Sequence, residues 1–429
     1  MRVQCATYNG HLGQGHSVLS YEGEGEDLAS WLNPTLLPDG SERGEAPDIV
    51  AVGFQEMIPL HLALAGFTST ALDLHEDKIK LAIERTHTKT EAGGGGTTYS
   101  LISRKSLGGI ALLVYSSDQT LTSRLQEVRV ATAGCGVFGF MGNKGAVGIR
   151  FSLKGEEGEG DSLSSWTFVT AHLAAHQEKV ERRNWDWKEI VQRLVFVSEK
   201  TGKEESLYET GHLFVFGDLN YRISLTSPRK LAPHLLSHHI STLVSPLSDS
   251  SSLSSSLSTL LPHDQLHQQL SRQKTLHHLS EAPITFPPTY KFKPGTRETY
   301  KDFRKRVPGW CDRILYAVAE SETEGFETEM YRSEMDFTAS DHKPVTALFN
   351  IPSPSSSSLP VKSPYPISPT WRQSQTLGML LDRLVGLIWC VIMLAGLNKD
   401  VRLGIVNLGG LAVGGWVYKF GGVGWRLLS

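Results

Sequence analysis

With 429 residues, the chain is long enough for one large or two ordinary domains with a proper core. A net charge of −3 supplies no basic field for nucleic acid, and 20% charged with 40% hydrophobic residues is the balance of a folded protein. Cys5, Cys135, Cys311 and Cys390 show neither CxxC spacing nor a disulfide framework, which points to a reducing compartment.

Residues 2–8 read as a strand ending at Asn9-Gly10, so no secretory leader precedes the first core element. Residues 48–54 form a second apolar run, closed by Gln55-Glu56-Met57. Residues 71–85 suit a helix, and Gly93 to Gly96 a flexible turn. Further strands are expected at 110–115, 145–153, 166–170, 213–216, 314–318 and 345–351. Residues 182–199 carry Trp187, Ile190, Val191, Leu194 and Val195 at helical spacing. Many strands, several helices and no βαβ repeat predict an α+β sandwich, two facing sheets with helices outside.

Two segments interrupt this pattern. Residues 154–165 are rich in Gly, Glu and Ser and read as a loose loop. Residues 245–258 are mostly serine and leucine and read as disordered. The domain expected from the strands ends at 351, and a Ser/Pro-rich linker follows over 352–376. Residues 377–420 are apolar in two runs, 377–397 and 403–418, separated by Lys399, Asp400 and Arg402. A spanning helix needs about 20 apolar residues. The first run reaches that length if Asp382-Arg383 lie near the membrane interface, and the second is short but could pair with it as a hairpin. The alternative is an apolar helix pair docked on the domain.

Polar clusters recur where apolar runs end. Glu56 closes one run, and its carboxylate is the best single ligand for a hard divalent cation. Asn9 either joins it or simply makes an Asn-Gly turn. Asp218 and Asn220 are two apart, which on a strand puts both on one face; the carboxylate can take a proton from water while the amide steadies it. His342 follows Asp341 and can stabilise a phosphoryl transition state if a buried carboxylate keeps it charged, Asp312 being the candidate. His172 is a second imidazole at a strand end. Asn143-Lys144 offer an amide and an ammonium between glycines; Tyr290-Lys291, Arg304 and Arg306 form a second basic set suited to a polyanion. Together these residues have the make-up of a magnesium-dependent phosphoesterase.

Phe216-Gly217-Asp218-Leu219-Asn220-Tyr221-Arg222 and Pro308-Gly309-Trp310-Cys311-Asp312-Arg313-Ile314-Leu315 resemble the two signature motifs of the inositol polyphosphate 5-phosphatases. That family lies in the endonuclease/exonuclease/phosphatase superfamily, with a DNase I-like fold. Gly53-Phe54-Gln55-Glu56-Met57, Gly142-Asn143-Lys144-Gly145, Thr170-Ala171-His172-Leu173, Pro288-Thr289-Tyr290-Lys291-Phe292 and Ser340-Asp341-His342-Lys343-Pro344-Val345 match minor motifs in family order, over roughly residues 1–351.

The resemblance implies a DNase I-like four-layer sandwich and Mg2+-dependent removal of the 5-phosphate from phosphoinositides or soluble inositol polyphosphates. By motif position, Glu56 would hold the metal, helped by Asn9. Asp218 would activate water and Asn220 position it or the phosphate. His342 (paired with Asp312) and His172 would contact the scissile phosphate, and Asp341 would support metal or water. Asn143 and Lys144 would meet a 1-phosphate; Tyr290, Lys291, Arg304 and Arg306 a 4-phosphate. Thr7-Tyr8-Asn9-Gly10 departs from the usual tryptophan before Asn-x-Asn. The apolar tail is not part of the family pattern. The expected protein is membrane-associated through that tail, with a monomeric catalytic domain facing the cytosol, the endoplasmic reticulum being the default membrane, and no nucleic acid partner. The competing readings are a same-fold nuclease or sphingomyelinase-like phosphodiesterase, and an inactive lipid-binding adaptor that would have lost Glu56, Asp218 or His342.

Overall fold

The computed structural model describes residues 1–10, 31–32, 46–87, 97–117, 121–155, 163–301, 306–319, 324–351 and 358–394. The Gly93 to Gly96 turn, Arg304, most of the 154–165 loop, the start of the linker and the second apolar run lie outside the described residues.

The strands are β1 (Arg2–Asn9), β2 (Ile49–Gln55), β3 (Tyr99–Leu107), β4 (Ile110–Ser117), β5 (Leu125–Gly134), β6 (Gly145–Lys154), β7 (Leu163–His172), β8 (Phe196–Val197), β9 (Glu204–Glu205), β10 (His212–Asp218), β11 (Ser280–Glu281), β12 (Asp312–Val318), β13 (Glu327–Ser333) and β14 (Val345–Asn350). They build two six-stranded sheets, ordered β13-β14-β1-β2-β4-β3 and β11-β12-β10-β7-β6-β5, and a two-stranded ribbon of β8 and β9. In each sheet the central pair is parallel, β1 with β2 and β10 with β7, and its neighbours are antiparallel. Parallel central strands finish at the same edge, so Asn9, Gln55, His172 and Asp218 all arrive at one rim.

The central strands are buried along nearly their whole length, which is why they read as unbroken apolar runs. Between the sheets lies a core containing Val3, Cys5, Ile49, Leu112, Val147, Trp166, Phe168, Phe214, Phe216 and Phe349. Gly53 lets the sheets close up near the rim: a Cβ there would sit 2.4 Å from Thr170 Oγ1 and 2.7 Å from Phe216. Beside it Gln55 Nε2 donates to Thr170 Oγ1 across the sheets at 2.9 Å. Helices cover the outer faces; Val180–Arg193, for example, buries Trp187, Ile190 and Val191 against one sheet. The expected α+β sandwich with helices outside is therefore borne out.

The serine-rich segment is corrected by the structure, because Ser250–Leu260 is a helix rather than disordered. Asp249 caps it, accepting from Ser252 N at 2.7 Å. Leu253 and Leu257, with buried Leu260, lean on the inter-sheet core. The serines make the segment look polar throughout, but they do not abolish this apolar stripe.

The end of the linker is helical, since Trp371–Leu394 forms one continuous helix. It docks along its buried residues Trp371, Gly378, Asp382 and Gly386. Asp382-Arg383 therefore do not sit at a helix end facing lipid headgroups. Asp382 accepts from Gly142 N at 2.9 Å, and Arg383 donates to Ala65 O. Only this first arm of the expected hairpin falls among the described residues.

Candidate active site

Eight short chain segments meet at the rim. Asp218, the last residue of β10, is the hub. Its Oδ2 accepts from Asn9 Nδ2 at 2.8 Å and lies 3.2 Å from His172 Nε2 and 4.0 Å from His342 Nε2. Its Oδ1 accepts from Asn220 N at 3.0 Å. Asn220 adopts a left-handed backbone (φ 59°) that asparagine tolerates, and its Nδ2 is pinned to Leu173 O at 3.1 Å.

Behind His342, Nδ1 donates to Asp312 Oδ2 at 2.9 Å, and the same oxygen accepts from Thr289 Oγ1 at 2.6 Å. Asp312 opens β12 directly opposite Asp218, which fixes the spacing of the two carboxylates. Burial opposes a charge on His342, but Asp312 and Asp218 overcome it and hold the imidazole up at about 9. Burial would raise Asp218; His342, His172 and Lys144 outweigh it and hold that carboxyl well below the usual range. Burial pushes Asp312 up. The pair His342–Asp312 is thus an imidazolium beside a carboxylate, and Asp218 is a second anion in front of it.

On the opposite wall, Glu56 turns out of β2 with φ 50° and is 3.8 Å from His172 Nε2. A positive φ at a glutamate costs about 1–3 kcal/mol and persists only where surroundings fix it. Lys144 Nζ contacts His172 Nε2. Burial draws Lys144 down, and Glu56 and Asp218 oppose that. A cleft of about 170 Å³ lies here, lined by Glu56, Ile58, Leu60, Asn143, Lys144 and His172. Tyr290 packs on His342 with ring centroids 4.6 Å apart, and Lys291 Nζ pairs with Asp341 Oδ2.

The structure therefore brings together Asn9, Glu56, His172, Asp218, Asn220, Asp312, Asp341, His342, Tyr290 and Lys291, with Asn143 and Lys144 along the cleft. Arg306 is exposed, 3.5 Å from His176 Nδ1, and outside the buried cluster. Three supporting residues stand inside the quoted motifs but were given no role from the sequence. Arg222 donates to Asn220 Oδ1 at 3.0 Å and stacks over Tyr290 at 4.4 Å. Ser340 Oγ donates to Asn9 O at 2.7 Å, and Thr289 buttresses Asp312. Arg222 had a signal, since it lies two residues after Asn220.

Carboxylate and carboxamide oxygens of Glu56 and Asn9 beside Asp218 are hard donors, the set that suits a small divalent cation. With Asn9 Nδ2 turned to Asp218, Oδ1 is the atom its carboxamide offers elsewhere. Among the described residues, Asp218, Asp312 and His342 also converge closely enough for a metal, but His342 is committed to Asp312 through Nδ1.

Two facing mixed sheets with carboxylates, imidazoles and amides gathered on one rim are a DNase I-like sandwich with a donor set suited to phosphate-ester chemistry. The chain belongs to the endonuclease/exonuclease/phosphatase family 2, whose sequence model matches residues 7–348. It is 32% identical over 335 residues to mouse type II inositol 1,4,5-trisphosphate 5-phosphatase, a match covering 78% of this chain and 29% of the relative. It is likewise 32% identical over 291 residues to Arabidopsis thaliana type IV inositol polyphosphate 5-phosphatase 3, covering 66% and 38%. The chain thus spans well under half the length of these curated relatives. The inositol polyphosphate 5-phosphatase domain of SpSynaptojanin, solved in complex with inositol (1,4)-bisphosphate and calcium ion, superposes with a TM-score of 0.59 at 26% identity, covering 89% of both chains. The expected kinship with inositol polyphosphate 5-phosphatases and the expected enzyme class are borne out by these relatives.

Proposed function

We propose that the protein is a Mg2+-dependent phosphatase that removes the 5-phosphate from phosphoinositides such as phosphatidylinositol 4,5-bisphosphate. The carrying observation is the buried line Asp312–His342–Asp218, which holds an imidazolium and a carboxylate 4.0 Å apart on the rim, beside the His172 that lines the cleft. Relatives acting on inositol phosphates support the substrate class.

His342, kept charged by Asp312, donates through Nε2 to a phosphoryl oxygen and stabilises the charge that develops there. Asp218 holds the attacking water in line, steadied by Asn220. Its low proton affinity in the resting site makes it an orienting anion first. Its basicity rises once His342 commits its charge to the phosphate. His172, oriented by Lys144 and Glu56, faces the same oxygens. Mg2+, held by Glu56 with Asn9, would neutralise phosphoryl charge when bound. Tyr290 and Lys291 would receive a 4-phosphate, with Arg222 locking Tyr290 from behind; Asn143 and Lys144 would receive the 1-phosphate.

Membrane association is part of the same proposal. The Trp371–Leu394 helix is long and apolar enough to enter a membrane, and little of its apolar stretch is buried against the domain. Its outward face presents Leu380, Leu384, Leu387 and Val391, all more than half exposed. Such a face suits an enzyme working on lipid headgroups.

The test is phosphate release from phosphatidylinositol 4,5-bisphosphate, with Mg2+ and with excess EDTA, on wild type and Asp218→Ala. Metal-dependent release giving the 4-phosphate lipid, lost in the variant, is the expected result. No release from this lipid or from soluble inositol 1,4,5-trisphosphate would sink the proposal.

A further inference from the structure

The Trp371–Leu394 helix does more than carry apolar surface. It grips one element from each sheet system. Toward one side, Gly386 seats on the Leu60–Ala65 helix so closely that a Cβ would be 2.2 Å from Ala65 N. Arg383 donates to Ala65 O, and Cys390 Sγ approaches His61 O at 3.7 Å. That helix follows Glu56 by only a few residues, and its Leu60 lines the cleft. Toward the other side, Gly378 seats on Phe140 O, where a Cβ would be 2.3 Å away. Gln375 Nε2 donates to Thr132 Oγ1 on β5 at 2.9 Å.

Between these grips stands Asp382, 6% exposed. Both its oxygens accept from Gly142 N, at 3.0 and 2.9 Å. A carboxylate receiving a backbone N–H is a charge-assisted bond, roughly twice as strong as a neutral one. Gly142 must be glycine for this approach, since a Cβ would fall 2.7 Å from Asp382 Oδ2. The next two residues are Asn143, whose Oδ1 ties the loop to Val137 N at 2.9 Å, and Lys144, which contacts His172 beside Asp218.

We propose that the Trp371–Leu394 helix is a brace of the catalytic unit and that Asp382 is a positioning residue, holding the Gly142–Lys144 loop against the cleft. This rests on the phosphatase reading for its kinetic consequence, not for its structural one. Removing the apolar tail would then cost activity on a fully soluble substrate as well as attachment to lipid.

The experiment uses the full chain in neutral detergent. Hydrogen exchange across residues 137–145 is measured for wild type, Asp382→Ala, Asp382→Asn and Leu384→Ser, together with kcat and KM on inositol 1,4,5-trisphosphate. Asp382→Ala is expected to speed exchange at Gly142 and to lower kcat/KM about tenfold or more, the size of a lost charged hydrogen bond. Asp382→Asn should recover most of both, because a carboxamide oxygen still accepts the Gly142 N–H. Leu384→Ser, on the outward face, should change neither. Unchanged exchange and unchanged kcat/KM in Asp382→Ala overturn the proposal, as does equal loss in all three variants, which would mean general destabilisation. If Asp382→Ala does not fold, Arg383→Met replaces it: faster exchange in the Leu60–Ala65 helix supports the brace, and wild-type exchange overturns it. If wild type hydrolyses no inositol phosphate, the phosphatase reading fails while Gly142 exchange still decides the brace.

Discussion

Replacing Asp312 by asparagine should uncouple His342 from its charge. In the native site Nδ1 of His342 is 2.9 Å from Asp312 Oδ2, and the imidazole is held up at about 9 against the penalty of burial. Set against an unfolded value of about 6.5, that difference is worth ~3 kcal/mol at 1.36 kcal/mol per tenfold change in proton affinity. The folded state binds the proton more tightly than the unfolded one. The stabilisation is therefore complete below pH about 6.5 and drains away as pH rises through about 9. A carboxamide at this position cannot carry the opposing charge, and Asp218 with Asp341 must then work alone against burial. In Asp312→Asn the imidazole should titrate at or below its ordinary value, and the loss of stability between pH about 6.5 and about 9.5 should flatten. Both are read on metal-free protein, by the His342 Cε1–H resonance and by urea denaturation at the two pH values. Turnover at pH about 8 should fall at least tenfold, in line with the loss of a positioned acid. A variant whose His342 still titrates near 9, or a wild type with equal stability at both pH values, would refute this reasoning.

Other outcomes are expected of the same site and its surroundings. His342→Ala should lower turnover by about 10²–10⁴ with an unchanged circular dichroism spectrum; parallel loss of fold and activity would count against its assignment. Lys291→Ala should raise KM for substrates with a 4-phosphate more than for those without, and cost about 1–3 kcal/mol of stability by leaving buried Asp341 short of its ion pair; a uniform kinetic effect would make Lys291 purely structural. Glu56→Gln should shift the Mg2+ requirement to higher concentration in a metal titration, with a smaller effect at saturation; an unshifted titration would move the metal elsewhere. Gly386→Leu, forced against Ala65 N, should destabilise by about 1–3 kcal/mol in a thermal melt, and an unchanged melting temperature would show that the helix is not docked in solution.

What could be read in the sequence follows burial. The strands expected near 48–54, 110–115, 145–153, 213–216 and 345–351 are interior strands, apolar on both faces. The unexpected β3, β5 and β13 are all sheet edges, where exposed residues such as Lys105 and Glu327 break the apolar run. The 182–199 helix ends at Arg193, because Leu194 and Val195 lead into β8 and bury there instead. Glu56, His172, Asp218 and Asp312 were legible because each stands at the end of a strand. The pairing of Lys291 with Asp341 and the bond from Gly142 to Asp382 were not, since they join positions 50 and 240 residues apart. No local pattern marks such a bond. Gly378, Asp382 and Gly386 stand four apart on the buried stripe of the helix, a spacing passed over in the sequence because the surrounding run is apolar.

The place of β1 has a consequence for synthesis. It lies between β2 and β14, with Arg2 paired to Asn350 and Thr7 to Val345. While the chain is being made, one side of the first strand therefore has no partner until its last sheet neighbour emerges. Closing so long a loop is slow, and an open strand edge invites pairing with other chains meanwhile. Asn9 stands at the end of that strand, and Ser340, Asp341 and His342 arrive just ahead of β14. Completing that sheet and completing the rim are thus one late event, and a chain arrested before residue 340 would carry Asp218 and His172 on a finished second sheet, facing an open first one and lacking His342.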